Sequence, residues 1–291
     1  MTLGLDYDGR GLCRLVSAPT YGRQDLGHAP GGPMDRFAVW VGNAILEQNR
    51  YAAALEVVYL PEARFTESSW FVLSGARRDR PRLLRRGTSG EEPLQHAVVY
   101  RAEAGDRLVL GRPSRGLRTY VCVRRDSQDL PGDLAGRHRP PFDEICRTAD
   151  ADGAIRVTAG PEYGCLVDST AMWKTSWQLT QKMSDVGVRL TPAATDKAAM
   201  PTAQPSEITS GPVADGTIQL TPTGPLALLR QRPTLGGYPR IATVIDVDLD
   251  RFAQYQPGQS LRFKLVTNEQ ALALYQQRED DLASLIAGWA K

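Results

Sequence analysis

Short apolar runs separated by turn residues dominate the chain. They are rich in β-branched and aromatic residues, and most end at Gly, Pro or a charged side chain. The first half contains "LEVVYL" (55–60), "SWFVLSG" (69–75), "HAVVYRA" (96–102), "DRLVLG" (106–111) and "RTYVCVR" (118–124). The second half contains "AIRVTAG", "SWQLTQ", "TIQLTP", "PLALLRQ", "IATVIDVD" and "SLRFKLV". Evenly spaced short strands favour β-barrels or sandwiches over a parallel sheet with crossover helices, so we predict a mainly β protein.

Two segments have helical periodicity. In the first, over about 35–49, apolar residues recur at the i, i+3, i+4 spacing of one helical face, and Asp35 can cap the start. The second covers 268–291, and Thr267 followed by Gln270 forms a capping-box pattern at its start. Arg278 interrupts the apolar stripe of this second helix. We expect it to pack on the second half of the chain or on a partner.

The two halves of the chain resemble each other. Asp25-Leu26-Gly27 is echoed 160 residues later by Asp185-Val186-Gly187, and Glu56 is echoed 151 residues later by Glu207. Ordered matches at nearly constant separation indicate a duplication. We therefore predict two similar β-barrel domains, 1–130 and 152–267, with a polar linker at 131–151, a C-terminal helix at 268–291 and a ligand site in the groove between the domains.

The loop "PTYGRQDLGHAPGGPMD" (19–35) is rich in glycine and proline. Its Gln24, Asp25 and Asp35 could form a polar pocket wall, with glycine giving the backbone a low profile. The alternative is a surface turn in which Asp35 only caps the following helix.

The segment "RQRPTLGGYPRIATV" (230–244) contains paired glycines, Gly236 and Gly237. Their backbone N–H groups could hold a carboxylate or phosphate oxygen. A hairpin turn explains the glycines equally well, but it does not explain the polar cluster of Gln231, Thr234 and Tyr238 around them.

The segment "QKMSDVGVRL" (181–190) supplies Ser184, Asp185 and Arg189. These residues could bind a small polar substrate or form an internal ion pair that shapes a turn. Glu56 and Glu207 could lie at pseudo-symmetric positions of one cleft, or each could be a structural acid at the start of a strand.

Composition and charge exclude several classes of function. Of the 291 residues 42% are apolar and 23% charged, and the formal net charge is only +2, so we expect neither nucleic acid nor a membrane surface as a partner. No apolar run approaches the ~18 residues of a membrane span, and the N-terminus lacks an apolar signal region, which predicts a cytoplasmic protein. The four cysteines form no Cys-x-x-Cys pair and the three histidines are dispersed, so we expect no metal site. No Walker segment is present, which excludes a Walker-type nucleotide site in the first half.

The order of these motifs resembles a known family. "QDLG", "GGPMD" and "AALEV" in the first half are followed by "SDVGVRL", "GTIQLTPTGPLALLRQ" and "LGGYPRIATVIDVDL", and the resemblance covers about 11–270. The family comprises the C subunit of 5-oxoprolinase, allophanate hydrolase subunit 2, the carboxyltransferase half of urea carboxylase and the KipA regulators. It implies tandem cyclophilin-like β-barrels and a partner, the B subunit, that is KipI-like or similar to allophanate hydrolase subunit 1. The A subunit of the same enzyme is a possible further partner.

The resemblance also implies an activity, which is the ATP-dependent opening of 5-oxoproline to glutamate. It suggests catalytic roles for Asp25, Asp185, Glu207 and Tyr238. Substrate contacts are implied for Gln24, Asp35, Glu56, Ser184, Arg189, Gln231, Thr234, Gly236 and Gly237. This chain alone would bind no cofactor, while the assembled enzyme would use ATP with Mg²⁺.

Two alternatives stay open. Several loops depart from the family pattern; for example, 185–190 reads "DVGVRL" where relatives have Arg-Met-Gly-Tyr-Arg-Leu. Such departures favour a non-catalytic, KipA-like regulatory protein. The other alternative is the carboxyltransferase half of a biotin-dependent urea carboxylase or allophanate system.

Overall fold

The structure is a computed structural model that describes residues 3–7, 11–125, 153–193 and 200–289. Contacts within it divide the chain into two compact units. Of the described residues, the first unit contains those up to Ala18, 35–125 and 286–289, and the second contains Pro19–Met34 and 153–285. The predicted linker at 131–151 lies outside the described residues.

Two antiparallel five-stranded sheets form the first unit. One has the order β1-β4-β9-β6-β7 and the other β2-β3-β10-β5-β8. The strands are β1 Leu5–Asp6, β2 Leu12–Val16, β3 Ala54–Tyr59, β4 Ala63–Phe65, β5 Ser69–Arg78, β6 Arg82–Leu84, β7 Glu91–Pro93, β8 Tyr100–Ala102, β9 Arg107–Val109 and β10 Pro113–Arg125.

The second of these sheets has two different faces because side chains alternate along its strands. One face carries Leu55, Phe71 and Val121 into the core of the first unit. The opposite face carries Glu56 and Tyr120, which are paired directly across β3 and β10. Helix α1 (Arg36–Ile45) packs against β5 and β10.

A single eight-stranded sheet forms most of the second unit, with the order β19-β12-β13-β16-β15-β18-β11-β20. Its two end strands are separated along the chain by Arg262 alone, so the sheet nearly closes into a barrel. The strands are β11 Ile155–Ala159, β12 Trp177–Met183, β13 Gly187–Pro192, β15 Thr217–Thr221, β16 Gly224–Leu228, β18 Arg240–Val244, β19 Ser260–Leu261 and β20 Phe263–Leu265. A separate pair consists of β14 (Gly211–Pro212) and β17 (Leu235–Gly236).

In the part of the chain that the structure describes, the second unit also contains α2 (Ser169–Lys174), α3 (Asp246–Phe252) and most of α4 (Asn268–Trp289). The predicted mainly β class is confirmed. The segment "IATVIDVD" is not a single strand, because β18 ends at Val244 and α3 begins at Asp246. Acidic residues in the first turn of α3 suit the positive end of a helix. No helix in the described part of the chain is long and apolar enough to cross a membrane.

The core of the second unit includes a residue from far upstream. Met34, at the end of the glycine-rich loop, is fully buried in the same cluster as Met172, Trp177 and Leu190. The segment before α1 thus belongs to the second unit by both packing and contacts. The sequence did not predict that this segment would interrupt the first unit.

Candidate functional site

Four loops of the second unit bring together most of the polar segments identified in the sequence. We call the loops 19–34, 184–187, 207–210 and 229–239 the loop site. The N–H of Gln231 donates to the carbonyl of Asp185 (3.1 Å), and the N–H of Leu229 donates to that of Val186 (2.9 Å). Loop 229–239 is therefore fastened to the turn that carries Asp185.

The glycine-rich loop reaches the same place. A Cβ atom on Gly31 would lie 3.1 Å from Nε2 of Gln231, and Gly31 has a φ of +68°. A larger residue would therefore be strained and crowded there. Gln231 therefore lies beside Gly31 and is bonded through its backbone to Asp185.

The paired glycines lie at another part of this site. Gly236 in β17 pairs with Gly211 in β14, and Nε2 of the buried Gln219 donates to the carbonyl of Tyr238 (3.3 Å). The carbonyl of Gly237 accepts from the N–H of Ile208 (2.9 Å). This contact places the glycines beside the 207–210 loop, which begins at Glu207.

An ion pair fixes the end of loop 229–239. Arg240 donates from Nε to Oε2 of Glu162 (2.7 Å) and from Nη2 to Oε1 (2.5 Å), and its backbone N–H also donates to Oε2 (3.0 Å). These hydrogen bonds from Arg240 lower the pKa of Glu162 below its ordinary value. The carboxylate stays charged, so the strand after the Gly-Gly-Tyr-Pro segment is held in place.

The tip of the glycine-rich loop is built as a turn. Gln24 and Asp25 lie in a 3₁₀ helix, Gln24–Leu26. Oε1 of Gln24 accepts from the N–H groups of Gly22 (2.9 Å) and Arg23 (3.0 Å). The Asp25 side chain is exposed, and its 3₁₀ helix differs from the bend between β12 and β13 that holds Asp185. The sequence match between Asp25 and Asp185 therefore does not extend to their local structure.

The other predicted residues of the second unit have structural contacts or lie exposed. Oγ of Ser184 accepts from the N–H of Val186 (3.2 Å), which shapes the turn. Arg189, in β13, donates to Oγ1 of Thr223 (2.9 Å). The carbonyl of Thr234 accepts from the N–H of Val213 (3.0 Å), and the Glu207 side chain is exposed.

Asp35 and Glu56 belong to the first unit. Oδ1 of Asp35 accepts from the N–H of Ala38 (2.9 Å), which confirms the predicted N-cap of α1. Glu56 is only 2% exposed and accepts hydrogen bonds from Arg14 (2.9 Å) and Tyr120 (2.8 Å). Glu56 thus lies in a buried strand, whereas Glu207 lies in an exposed loop. The equivalent positions that the repeat suggested for these two acids are therefore not found.

The hydroxyl of Tyr120 links these two residues. It accepts from the N–H of Asp35 (2.8 Å) while it donates to Glu56. Burial, followed by the nearby charges of Glu56 and Asp35, raises the pKa of Tyr120 well above its ordinary value. The phenol is therefore neutral and acts as a hydrogen-bond relay between the helix start and β3.

Sequence reasoning missed a buried charge network in the second unit. Arg230 is fully buried and donates to Asp250 (2.8 Å), to Asp215 (3.4 Å) and to Asp246 (3.4 Å). Burial would lower the pKa of Arg230, but these three carboxylates raise it above its ordinary value. The one signal in the sequence was Arg278, which breaks the apolar stripe of α4 and donates to Asp250 and Asp246 (both 2.9 Å).

Possible metal ligands were also sought in the structure. Among the residues that it describes, no group of three or more His, Cys, Asp or Glu side chains is placed to hold a metal ion.

Comparison with known proteins identifies relatives in sequence. The chain is 28% identical to the C subunit of 5-oxoprolinase from Escherichia coli strain K12, over 89% of this chain and 90% of that protein. It is 25% identical to the protein of the same name from Haemophilus influenzae, with the same coverage. Such coverage means that the resemblance includes both units.

A solved structure has the same fold as this chain. The urea amidolyase of K. lactis superimposes with a TM-score of 0.78 at 18% identity, and the match covers 97% of this chain. This chain spans only about a fifth (20%) of that much longer protein. The model of the family described as "carboxyltransferase domain, subdomain A and B" matches residues 26–132 and 126–265. The chain therefore belongs to the carboxyltransferase domain, subdomain A and B, family.

Proposed function

We propose that this chain is a component of an ATP-dependent 5-oxoprolinase and corresponds to the C subunit of that enzyme. Together with a KipI-like partner, the B subunit, it opens 5-oxoproline to glutamate. The observation that carries the proposal is the similarity to two 5-oxoprolinase C subunits over 90% of their length. The convergence of Gly31, Asp185 and Gln231 at the loop site supports it.

The loop site suits a small cyclic amide that carries a carboxylate. The Gln231 side chain offers an amide donor and acceptor beside Gly31, and the backbone N–H of Gln231 donates to the carbonyl of Asp185. In the proposed reaction, Gln231 orients the lactam and Asp185 accepts a proton from the attacking water. Tyr238 and the backbone at Gly237 contact the substrate carboxylate.

In the proposed reaction, the γ-phosphoryl group of ATP would pass to the amide oxygen of the substrate with release of ADP. The carbonyl carbon would then be a better electrophile for water, and phosphate and the ring nitrogen would leave as glutamate forms. The paired glycines Gly236 and Gly237 were the candidate for holding a phosphate oxygen, but the contacts of Gly236 do not suit that role. Gly236 is engaged in the β14–β17 pair, and Gln219 lies where a Cβ of Gly236 would be. We therefore assign ATP and its Mg²⁺ to one of the partner proteins.

The test is turnover by the assembled enzyme. The purified chain is combined with the KipI-like partner and the A subunit, and 5-oxoproline-dependent ATP hydrolysis and glutamate formation are measured. Asp185→Asn and Gln231→Leu should each lower turnover by roughly tenfold or more, as expected for a lost proton acceptor or orienting group. Asp280→Asn, an exposed acid on α4, is the matched control and should leave turnover unchanged. Absence of 5-oxoproline-dependent ATP hydrolysis in the complete assembly would overturn the proposal.

A regulatory role is the second candidate. It is favoured by the placement of the predicted residues, because Ser184, Arg189 and Glu56 have structural partners while Asp25 is exposed. A KipA-like protein would bind the KipI-like partner tightly and show no turnover in the complete assembly. Transfer of a carboxyl group from a biotin carrier to urea would instead support the carboxyltransferase alternative.

A further inference from the structure

Met34 attaches the glycine-rich loop to the second unit in two ways. Its side chain is fully buried in the core of the barrel. Its carbonyl oxygen accepts a hydrogen bond from Nε of Arg230 (3.2 Å). The side chain and the backbone of this residue are therefore both held by the second unit.

The Arg230 guanidinium is itself held by acids from two other elements. Nη2 donates to Asp250 of α3, and Nη1 faces Asp246 of the same helix and Asp215 in the turn before β15. Arg278 of the C-terminal helix donates to the same two acids of α3. The C-terminal helix thus fixes the carboxylates that orient Arg230.

Arg230 also lies in loop 229–239, directly before the residue that faces the glycine-rich loop. The next residue, Gln231, lies against Gly31 and is bonded through its backbone to Asp185. One buried side chain consequently sets the position of loop 19–34 and, through the chain, of loop 229–239.

We propose that Arg230 is a positioning residue that clamps the Pro19–Met34 segment onto the loop site, and that Arg278 keeps the clamp oriented. That the clamped segment lines a substrate site rests on the proposed function, whereas the clamp itself is tested without substrate.

The chemistry of arginine explains why this side chain is used. A guanidinium donates in several fixed directions at once, so it can reach the Met34 carbonyl and the surrounding carboxylates together. The ammonium of a lysine is a single point that keeps the charge but cannot span these acceptors. Arg230→Lys should therefore release the Met34 carbonyl while the acids stay neutralised.

The experiment compares the oxidation rates of two methionines by peptide mass spectrometry after exposure to dilute hydrogen peroxide. Met34 and Met172 are both fully buried in the same core, so Met172 reports opening of the whole barrel. The variants are Arg230→Lys and Arg278→Leu. Arg156→Lys is the matched control, because Arg156 pairs with a different acid of α3, Asp248 (2.6 Å).

In Arg230→Lys we expect Met34 oxidation to rise by about tenfold relative to Met172, the effect of losing one buried hydrogen bond to a charged donor. Arg278→Leu should raise the same ratio by a smaller factor, and Arg156→Lys should leave it unchanged. An unchanged ratio in Arg230→Lys would overturn the clamp. This includes the case in which both methionines are oxidised faster by the same factor, because the substitution would then have opened the entire core.

Discussion

Individual atoms decide how closely the loops of the second unit approach one another. A Cβ on Gly236 would lie 2.3 Å from Nε2 of Gln219, whereas a Cβ on Gly237 would meet nothing closer than Oγ of Ser210 at 3.4 Å. We expect Gly236→Ala to lower the free energy of unfolding by about 1–2 kcal/mol, because Gln219 must move and lose its bond to Tyr238. Gly237→Ala, the matched control, should change it by less than ~0.5 kcal/mol. Urea denaturation measures both, and equal losses would contradict the assigned crowding.

The ion pair between Glu162 and Arg240 should make the free energy of unfolding depend on pH. Because Arg240 lowers the pKa of Glu162 below 4.5, the pair stabilises the fold fully above that pH and loses its contribution as the pH falls through the lower folded-state value. Glu162→Gln should lower the free energy of unfolding by about 1–2 kcal/mol at pH 7. The difference between variant and wild type should shrink toward pH 3.

The matched control for this pH dependence is an exposed pair. Arg107 and Glu62 lie 3.0 Å apart with side chains 51% and 39% exposed. Glu62→Gln should lower the free energy of unfolding by less than ~0.5 kcal/mol at both pH 7 and pH 3, because solvent screens exposed ion pairs. A difference at Glu162 that stays constant from pH 7 to pH 3 would show that the Glu162–Arg240 ion pair is not its source.

At the scale of one element, α1 depends on its N-cap residue, Asp35. The Asp35 carboxylate accepts the N–H of Ala38, and a serine in its place could do the same. We expect Asp35→Ala to lower the free energy of unfolding by about 1 kcal/mol. Asp35→Ser should lower it much less, because serine can still cap the helix. Thermal unfolding measures both, and turnover measured with the serine variant separates capping from substrate binding. Equal destabilisation by the two substitutions would argue against the cap.

Elements with strong local signals could be predicted from the sequence. The N-cap of α1 is confirmed, since Asp35 accepts the N–H of Ala38. The capping box of α4 is confirmed as well, since Thr267 and Gln270 exchange hydrogen bonds (3.0 and 3.2 Å). These features depend on residues three positions apart. Helix α3 was missed because "IATVIDVD" continues the β-branched pattern of β18 into the helix.

The arrangement of the site could be predicted only in part, because its contacts join distant parts of the chain. The segments of Asp185, Gln231 and Gly237 were identified from their glycines and polar residues. The burial of Met34 in the second core and its bond to Arg230, 196 positions away, have no local signature. Arg278 could be recognised only as a break in the apolar stripe of α4, because its partner acids lie on another helix.

For the whole molecule, the two units have separate buried cores, so we predict that damage to one core acts first on its own unit. Phe71 is fully buried in the first core and stacks on Tyr100 at 5.7 Å, while Leu179 is buried in the second. Phe71→Ala should lower the free energy of unfolding by about 3–5 kcal/mol, and Leu179→Ala should lower it by about 2–5 kcal/mol. Hydrogen exchange should show Phe71→Ala accelerating exchange in β3, β5 and β10, and Leu179→Ala doing so in β12 and β13. If either substitution accelerated exchange equally in both sets of strands, the two cores would be a single cooperative unit.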